Sequence, residues 1–133
     1  MIDEPAIDRI REGYRALNEE QRIDDSYVTD DFLLEQSPEI PGTRGAFHGP
    51  EGMRRSLQEL LDGFDAVRFD PQRFEVHGDW LIVPVEFWAS VRGVEQRLEI
   101  IHLWQLRDDG KAVRMRVLGV GADPLAEIAK LSQ

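Results

Sequence analysis

Apolar residues recur at helical spacing early in the chain and at alternating spacing later. Ile7, Ile10, Tyr14 and Leu17 fall three or four positions apart, which predicts an amphipathic helix. Asp3 and Glu4 before Pro5 mark its start: an acidic cap, then a proline where a missing N–H costs nothing. A second stripe, Met53, Leu57, Leu60, Leu61 and Phe64, predicts a helix begun by Pro50, and Gly63 signals its end. Between the two, a short helix is expected over 21–27. A strand, FLLEQS, opens after Asp30–Asp31 and is closed by Pro38. The glycine- and proline-rich segment PEIPGTRGAFHGP reads as an irregular loop.

From Val67 onward the period changes to two. VRFDPQRFEV reads as one strand with Pro71 at an edge or bulge, followed by a tight turn at His77–Gly78–Asp79. In WLIVPVEFWASVRG the odd positions Leu81, Val83, Val85, Phe87, Ala89 and Val91 are all apolar, whereas the even ones include Pro84, Glu86, Ser90 and Arg92. Trp80 and Trp88 share that mixed face, which suits either a subunit interface or a satellite cluster under the C-terminal helix. The next strand puts Leu98, Ile100, His102, Trp104 and Leu106 on one face. Asp109–Gly110 is a hairpin signal. In the last strand Val113, Met115 and Val117 oppose Arg114 and Arg116. Asp123 and Pro124 then cap a terminal helix, LAEIAKL.

Helices grouped early and four consecutive strands late imply an α+β fold with an antiparallel sheet. A long twisted sheet curved around the N-terminal helices forms a cone, and the inside of a cone is a natural small-molecule pocket. The chain of 133 residues is expected to form one domain spanning 1–133.

The formal charge of −10 argues against nucleic acid and against an anionic membrane surface as partners. With no cysteine, disulfides, thiolate metal sites and cysteine nucleophiles are excluded. No window reaches the length of a transmembrane helix, and the first residues lack the apolar core of a signal peptide, so a cytoplasmic location is expected. The three histidines show no helical pairing, so no metal site is assigned. His48, in a glycine-flanked loop, and His77, in a turn, are expected at the surface.

Two inward polar residues stand out. Tyr14 lies on the apolar face of the first helix. Its hydroxyl needs a partner there, either in the core or in a cavity. His102 lies between Ile100 and Trp104, either satisfied within the packing or available for chemistry near neutral pH.

Three segments carry a resemblance. Tyr14 and Asn18 precede Asp30–Asp31 at a strand start. PGTRGAFHGPEGMRRSLQELL is similar to an aromatic–x–Gly segment leading into a helix. HLWQLRDDGKAVRMRV is similar to an aromatic-rich strand, an Asp–Gly–Lys turn and another strand. In this order they resemble the SnoaL-like polyketide cyclases of the nuclear-transport-factor-2-like superfamily, which also contains the ketosteroid isomerases. The resemblance implies a cone with a hydrophobic pocket, a homodimer packed through the sheets and no required cofactor. It does not imply one reaction, since the fold hosts cyclases, isomerases, dehydratases, epoxide hydrolases and non-catalytic modules.

Relatives usually keep a pocket-facing aspartate at the position of His102, and the isomerases keep their other oxyanion donor at the position of Tyr14. A Tyr14/His102 pair would then form an oxyanion site. The isomerases' carboxylate base would fall on Gln36, which cannot take a proton. Glu35 beside it points to the opposite face, unless a one-residue register shift brings it inside as a base. Otherwise it is a solvated or ion-paired carboxylate. Phe87, Trp104, Met115 and Val117 would line the cavity with Gln36, or simply fill a core. Arg114 and Arg116 oppose the apolar face, which speaks against the Asp–Arg–Asp mechanism of the epoxide-hydrolase relatives. The expected function is a cofactor-independent cyclase or isomerase acting on a small apolar carbonyl compound. Its alternatives are a non-catalytic ligand-binding or dimeric accessory domain, or a structural module.

Overall fold

The computed structural model describes residues 2–36, 45–119 and 121–132. Helix α1 (Glu4–Glu20) starts where the sequence signals it, with the Asp3 carboxylate accepting a hydrogen bond from Ala6 N at 3.0 Å. It ends at Gln21, whose φ of 51° turns the chain left-handed and directs its N–H to the Ala16 and Leu17 carbonyls. The short helix expected over 21–27 does not form. Asp24 instead accepts from both the N–H and the hydroxyl of Ser26, the kind of local turn that competes with helix.

Strand β1 (Val28–Gln36) follows. The loop expected over 38–50 ends in a short strand, β2 (Ala46–His48), paired antiparallel with β1; its residues 38–44 lie outside the described residues. Helix α2 (Gly49–Gly63) begins at the predicted proline. VRFDPQRFEV is two strands rather than one. β3 (Ala66–Pro71) stops at the proline, which has no N–H for the ladder, and β4 (Glu75–His77) resumes beside the next strand. Then come β5 (Trp80–Val91), β6 (Val94–Leu106) and β7 (Ala112–Leu118), the last two joined through Asp109–Gly110. Helix α3 (Pro124–Leu131) is capped by Asp123.

The sheet runs β2-β1-β7-β6-β5-β3, with β4 also on β5. It is curved, unclosed and mixed rather than wholly antiparallel, because β1 pairs parallel with β7. Those two strands are joined only through the whole intervening chain, so no hairpin dictates their relative direction.

Two apolar clusters cover its two faces. The inner one packs α1 and α2 residues such as Ile10 and Met53 against Leu81, Val83, Val85, Ile100 and Trp104. The outer one seats Ile128 of α3 on Trp80, Ile82, Leu103 and Leu118. Trp80 is therefore the satellite-cluster residue that its mixed face allowed. Asn18, near the end of α1, is bonded both ways to edge strand β3. Its Nδ2–H donates to Phe69 O at 2.6 Å, and its Oδ1 accepts from Phe69 N at 2.8 Å. Among the described residues no helix is long and apolar enough to cross a membrane.

Candidate functional site

The ladder registers bring the inward residues into rows. Gln36, Val117, His102 and Val83 are aligned across β1, β7, β6 and β5, and Leu34, Met115, Trp104 and Leu81 form the adjacent row. Because strand side chains alternate, residues of both rows share the concave face. Opposite them stand Tyr14 of α1 and the stripe of α2. Between lies a cavity of about 390 Å³. His102, Tyr14, Gln36, Phe87, Trp104, Met115 and Val117 all border it. Exposure along β6 rises from Trp104 toward Val94, so the Leu98 end is the mouth.

A buried hydrogen-bond chain organises the wall. Trp104 Nε1 donates to the Tyr14 oxygen at 3.1 Å, and that oxygen lies 2.5 Å from His102 Nδ1. An indole N–H can only donate, so it occupies a lone pair of the phenol. Tyr14 then donates its own proton to Nδ1. The reverse arrangement would leave that proton without an acceptor among the described residues. The imidazole therefore carries its proton on Nε2, which has no protein acceptor among the described residues and opens on the cavity.

Burial sets the protonation states. Desolvation lowers the His102 pKa from 6.5 to about 3, so the ring is neutral at physiological pH. Desolvation also pushes the Tyr14 phenol well above its ordinary value, against a smaller opposing effect of the Trp104 hydrogen bond. Stacking reinforces the arrangement, with the Tyr14 and His102 rings 5.7 Å apart at 14° and Trp104 edge-on to both. The result is a rigid neutral N–H donor aimed into an apolar chamber. A base with a pKa near 3 abstracts protons poorly, whereas a neutral imidazole N–H donates well to a developing oxyanion.

Glu35 does not join this group. It is not among the cavity-lining residues, and Arg114 Nε stands 3.0 Å from its Oε1, close enough for charge pairing although the N–H is not directed for a hydrogen bond. The register pairs Gln36 with Val117, so alternation turns Glu35 to the other face and no slip brings it inside. Among the described residues no Asp or Glu lines the cavity, and no three His, Cys, Asp or Glu side chains cluster as metal ligands. His48 and His77 are exposed, as expected.

Tyr27 and Ser56 are among the lining residues not anticipated from the sequence. Tyr27, in the turn before β1, places its ring tip over Gly13, where an added Cβ would stand 2.7 Å from Tyr27 Cε1. Ser56 sits within the apolar stripe of α2, three residues beyond Met53. The helical spacing places Ser56 on the buried face; nothing local marks Tyr27.

Comparison with known proteins agrees with this fold. The family model of the SnoaL-like domain matches residues 10–115, which includes both Tyr14 and His102. The chain belongs to the SnoaL-like domain family. A search of curated protein sequences found no match. Among solved structures, this SnoaL-like chain is similar to TerC co-crystallised with polyporic acid, at 23% identity and a TM-score of 0.76, covering 98% of this chain and 100% of that one. It is also similar to an NTF2-like protein of unknown function from Burkholderia pseudomallei, at 18% identity and a TM-score of 0.72, covering 97% of this chain and 98% of the other. A candidate SnoaL-like polyketide cyclase from Jannaschia sp. matches at 19% identity and a TM-score of 0.63, over 99% and 97% of the two chains. At such identities these likenesses establish the fold alone.

Proposed function

We propose that this SnoaL-like chain binds a small, largely apolar carbonyl compound in its cavity and polarises the carbonyl oxygen with the Nε2–H of His102. The observation that carries the reading is the Trp104–Tyr14–His102 chain, which ends in a donor facing the cavity. Donation from Tyr14 to Nδ1 draws electron density from the ring and strengthens the opposite N–H. Within the largely apolar cavity, that donor gains strength as negative charge grows on the oxygen during enolisation or ring closure. Tyr14 is a positioning residue in this scheme, because its proton and one lone pair are committed to His102 and Trp104. With no Asp or Glu on the described wall, the reactive C–H must be acidic enough, as between two carbonyl groups, to lose its proton to water. Isomerisation and intramolecular cyclisation of such compounds are the reactions the site would assist. The same absence favours a second reading, binding without turnover.

Titration with polyporic acid, the compound co-crystallised with TerC, and with tetralone, a one-carbonyl probe, tests the proposal through quenching of the intrinsic tryptophan fluorescence, to which Trp104 in the cavity wall contributes. The parent is expected to bind at least one of them. His102→Ala is expected to weaken that binding about tenfold or more, since the ligand oxygen loses a buried donor. Unchanged affinity in the variant would sink the role given to His102. Binding without any conversion would favour the second reading.

A further inference from the structure

Three polar groups on the cavity wall have no hydrogen-bond partner in the protein among the described residues. They are His102 Nε2, the Tyr27 hydroxyl and the Ser56 hydroxyl. The residues are only 4%, 5% and 7% exposed. Trp80 Nε1 is also unpartnered, but it is sealed inside the outer cluster, whereas these three atoms open on the cavity. Buried polar groups are ordinarily satisfied, so groups that reach a cavity without a protein partner are left to water or to a ligand. Three around one cavity mark where something other than protein completes the bonding.

They also come from different directions. His102 is on β6. Tyr27 enters two inward positions farther along β6, level with the Leu106–Ala112 pair, and is held there by Ala112 N donating to Tyr27 O at 2.7 Å. Its ring packs on Trp104 at 5.7 Å, and Trp104 lies 6.3 Å from His102, so the indole separates the two donors. Ser56 approaches from α2, across the cavity from the sheet. Gly13 is part of this design. A glycine inside a helix costs about 1 kcal/mol relative to alanine, and here it admits the tip of Tyr27.

We infer that the cavity selects a flat apolar compound bearing two well-separated acceptor oxygens, one met by His102 and the other by Tyr27 and Ser56. All three groups are uncharged donors, so a quinone or diketone fits and a one-oxygen ketone leaves part of the wall unpaired. Tyr27 and Ser56 are thereby specificity-determining residues. The inference rests on reading this cavity as a ligand site, not on the role given to His102.

Naphthoquinone, with two opposed carbonyl oxygens, and tetralone, with one, are suitable probes; the absence of cysteine removes thiol addition to the quinone as a complication. Calorimetric titration of the parent is expected to show tighter binding of naphthoquinone. Tyr27→Phe and Ser56→Ala should each weaken naphthoquinone by about three- to tenfold and leave tetralone nearly unchanged. Without ligand, both variants should melt at or above the parent's temperature, because each removes only an oxygen that bonds to no protein group. Equal affinity of the parent for the two probes, or no loss of naphthoquinone in either variant, overturns the inference. A lower melting temperature in both variants also overturns it, since the hydroxyls would then be structural. If His102→Ala alone loses both probes, the proposed function survives and this inference fails. If Tyr27→Phe and Ser56→Ala lose naphthoquinone while His102→Ala does not, the inference stands and the role of His102 falls.

Discussion

His102 shows how burial turns an acid–base residue into a fixed hydrogen-bond donor. Its folded pKa of about 3 lies below the ordinary 6.5 because the charged ring would lose its water. Between those values the unfolded chain takes up a proton that the folded chain does not. Stability therefore falls as pH drops through that window, by up to about 1.4 kcal/mol per pH unit from this residue alone. Chemical denaturation of the parent and of His102→Gln at a series of pH values isolates the contribution. The parent should lose stability relative to the variant as pH falls from 6.5 toward 3. Parallel curves would mean that His102 titrates normally in the fold. At this scale the sequence was informative about position and silent about bonding. Strand alternation placed His102, Trp104, Met115 and Val117 on one face, and helical spacing placed Tyr14 opposite. That the phenol is consumed by Trp104 and His102 depends on the angle of α1 across the sheet, which no local pattern encodes. Tyr27 escaped notice because its inward direction comes from one long-range hydrogen bond, Ala112 N to Tyr27 O.

Elements reach the cavity through a few specific ties, and Asn18 is the clearest. Its amide satisfies both the N–H and the carbonyl of Phe69 at the sheet's edge, joining α1 to β3. Phe69 itself borders the cavity, with its ring 5.9 Å from that of His102. Asn18→Ala leaves two partly buried backbone groups to find water, so it should lower unfolding stability by about 1–3 kcal/mol. Hydrogen exchange should accelerate in β3 more than in β7, where no bond to Asn18 is lost. Uniform exchange changes, or none, would show that the tie does not hold the edge. The well-signalled elements were the helices with proline starts and the strands joined by tight turns, because those signals are local. The parallel β1–β7 pairing, the break of one expected strand into β3 and β4, and the left-handed stop at Gln21 were not evident. Each depends on what neighbouring segments offer the backbone.

Over the whole molecule, two surfaces of one sheet do different work. The outer face carries the ion pairs of Arg114 with Glu35 and Arg116 with Glu127, and the small cluster beneath α3. Among the described residues the inner face holds no acidic residue at the cavity, although the chain as a whole carries a charge of −10. The one charged side chain lining the described cavity is Arg97, near the mouth, so deeper in a ligand is met by directed dipoles rather than by a field of carboxylates. The central claim is that His102 presents a permanently neutral Nε2–H to that chamber. Long-range nitrogen–proton NMR of the imidazole tests it most directly, recorded between about pH 5 and 8 with and without polyporic acid. A protonated Nε2, a bare Nδ1, no titration over that range and a shift of the Nε2 signal when ligand binds are expected. A ring that titrates near 6.5, a proton on Nδ1, or an Nε2 signal indifferent to bound ligand would contradict it.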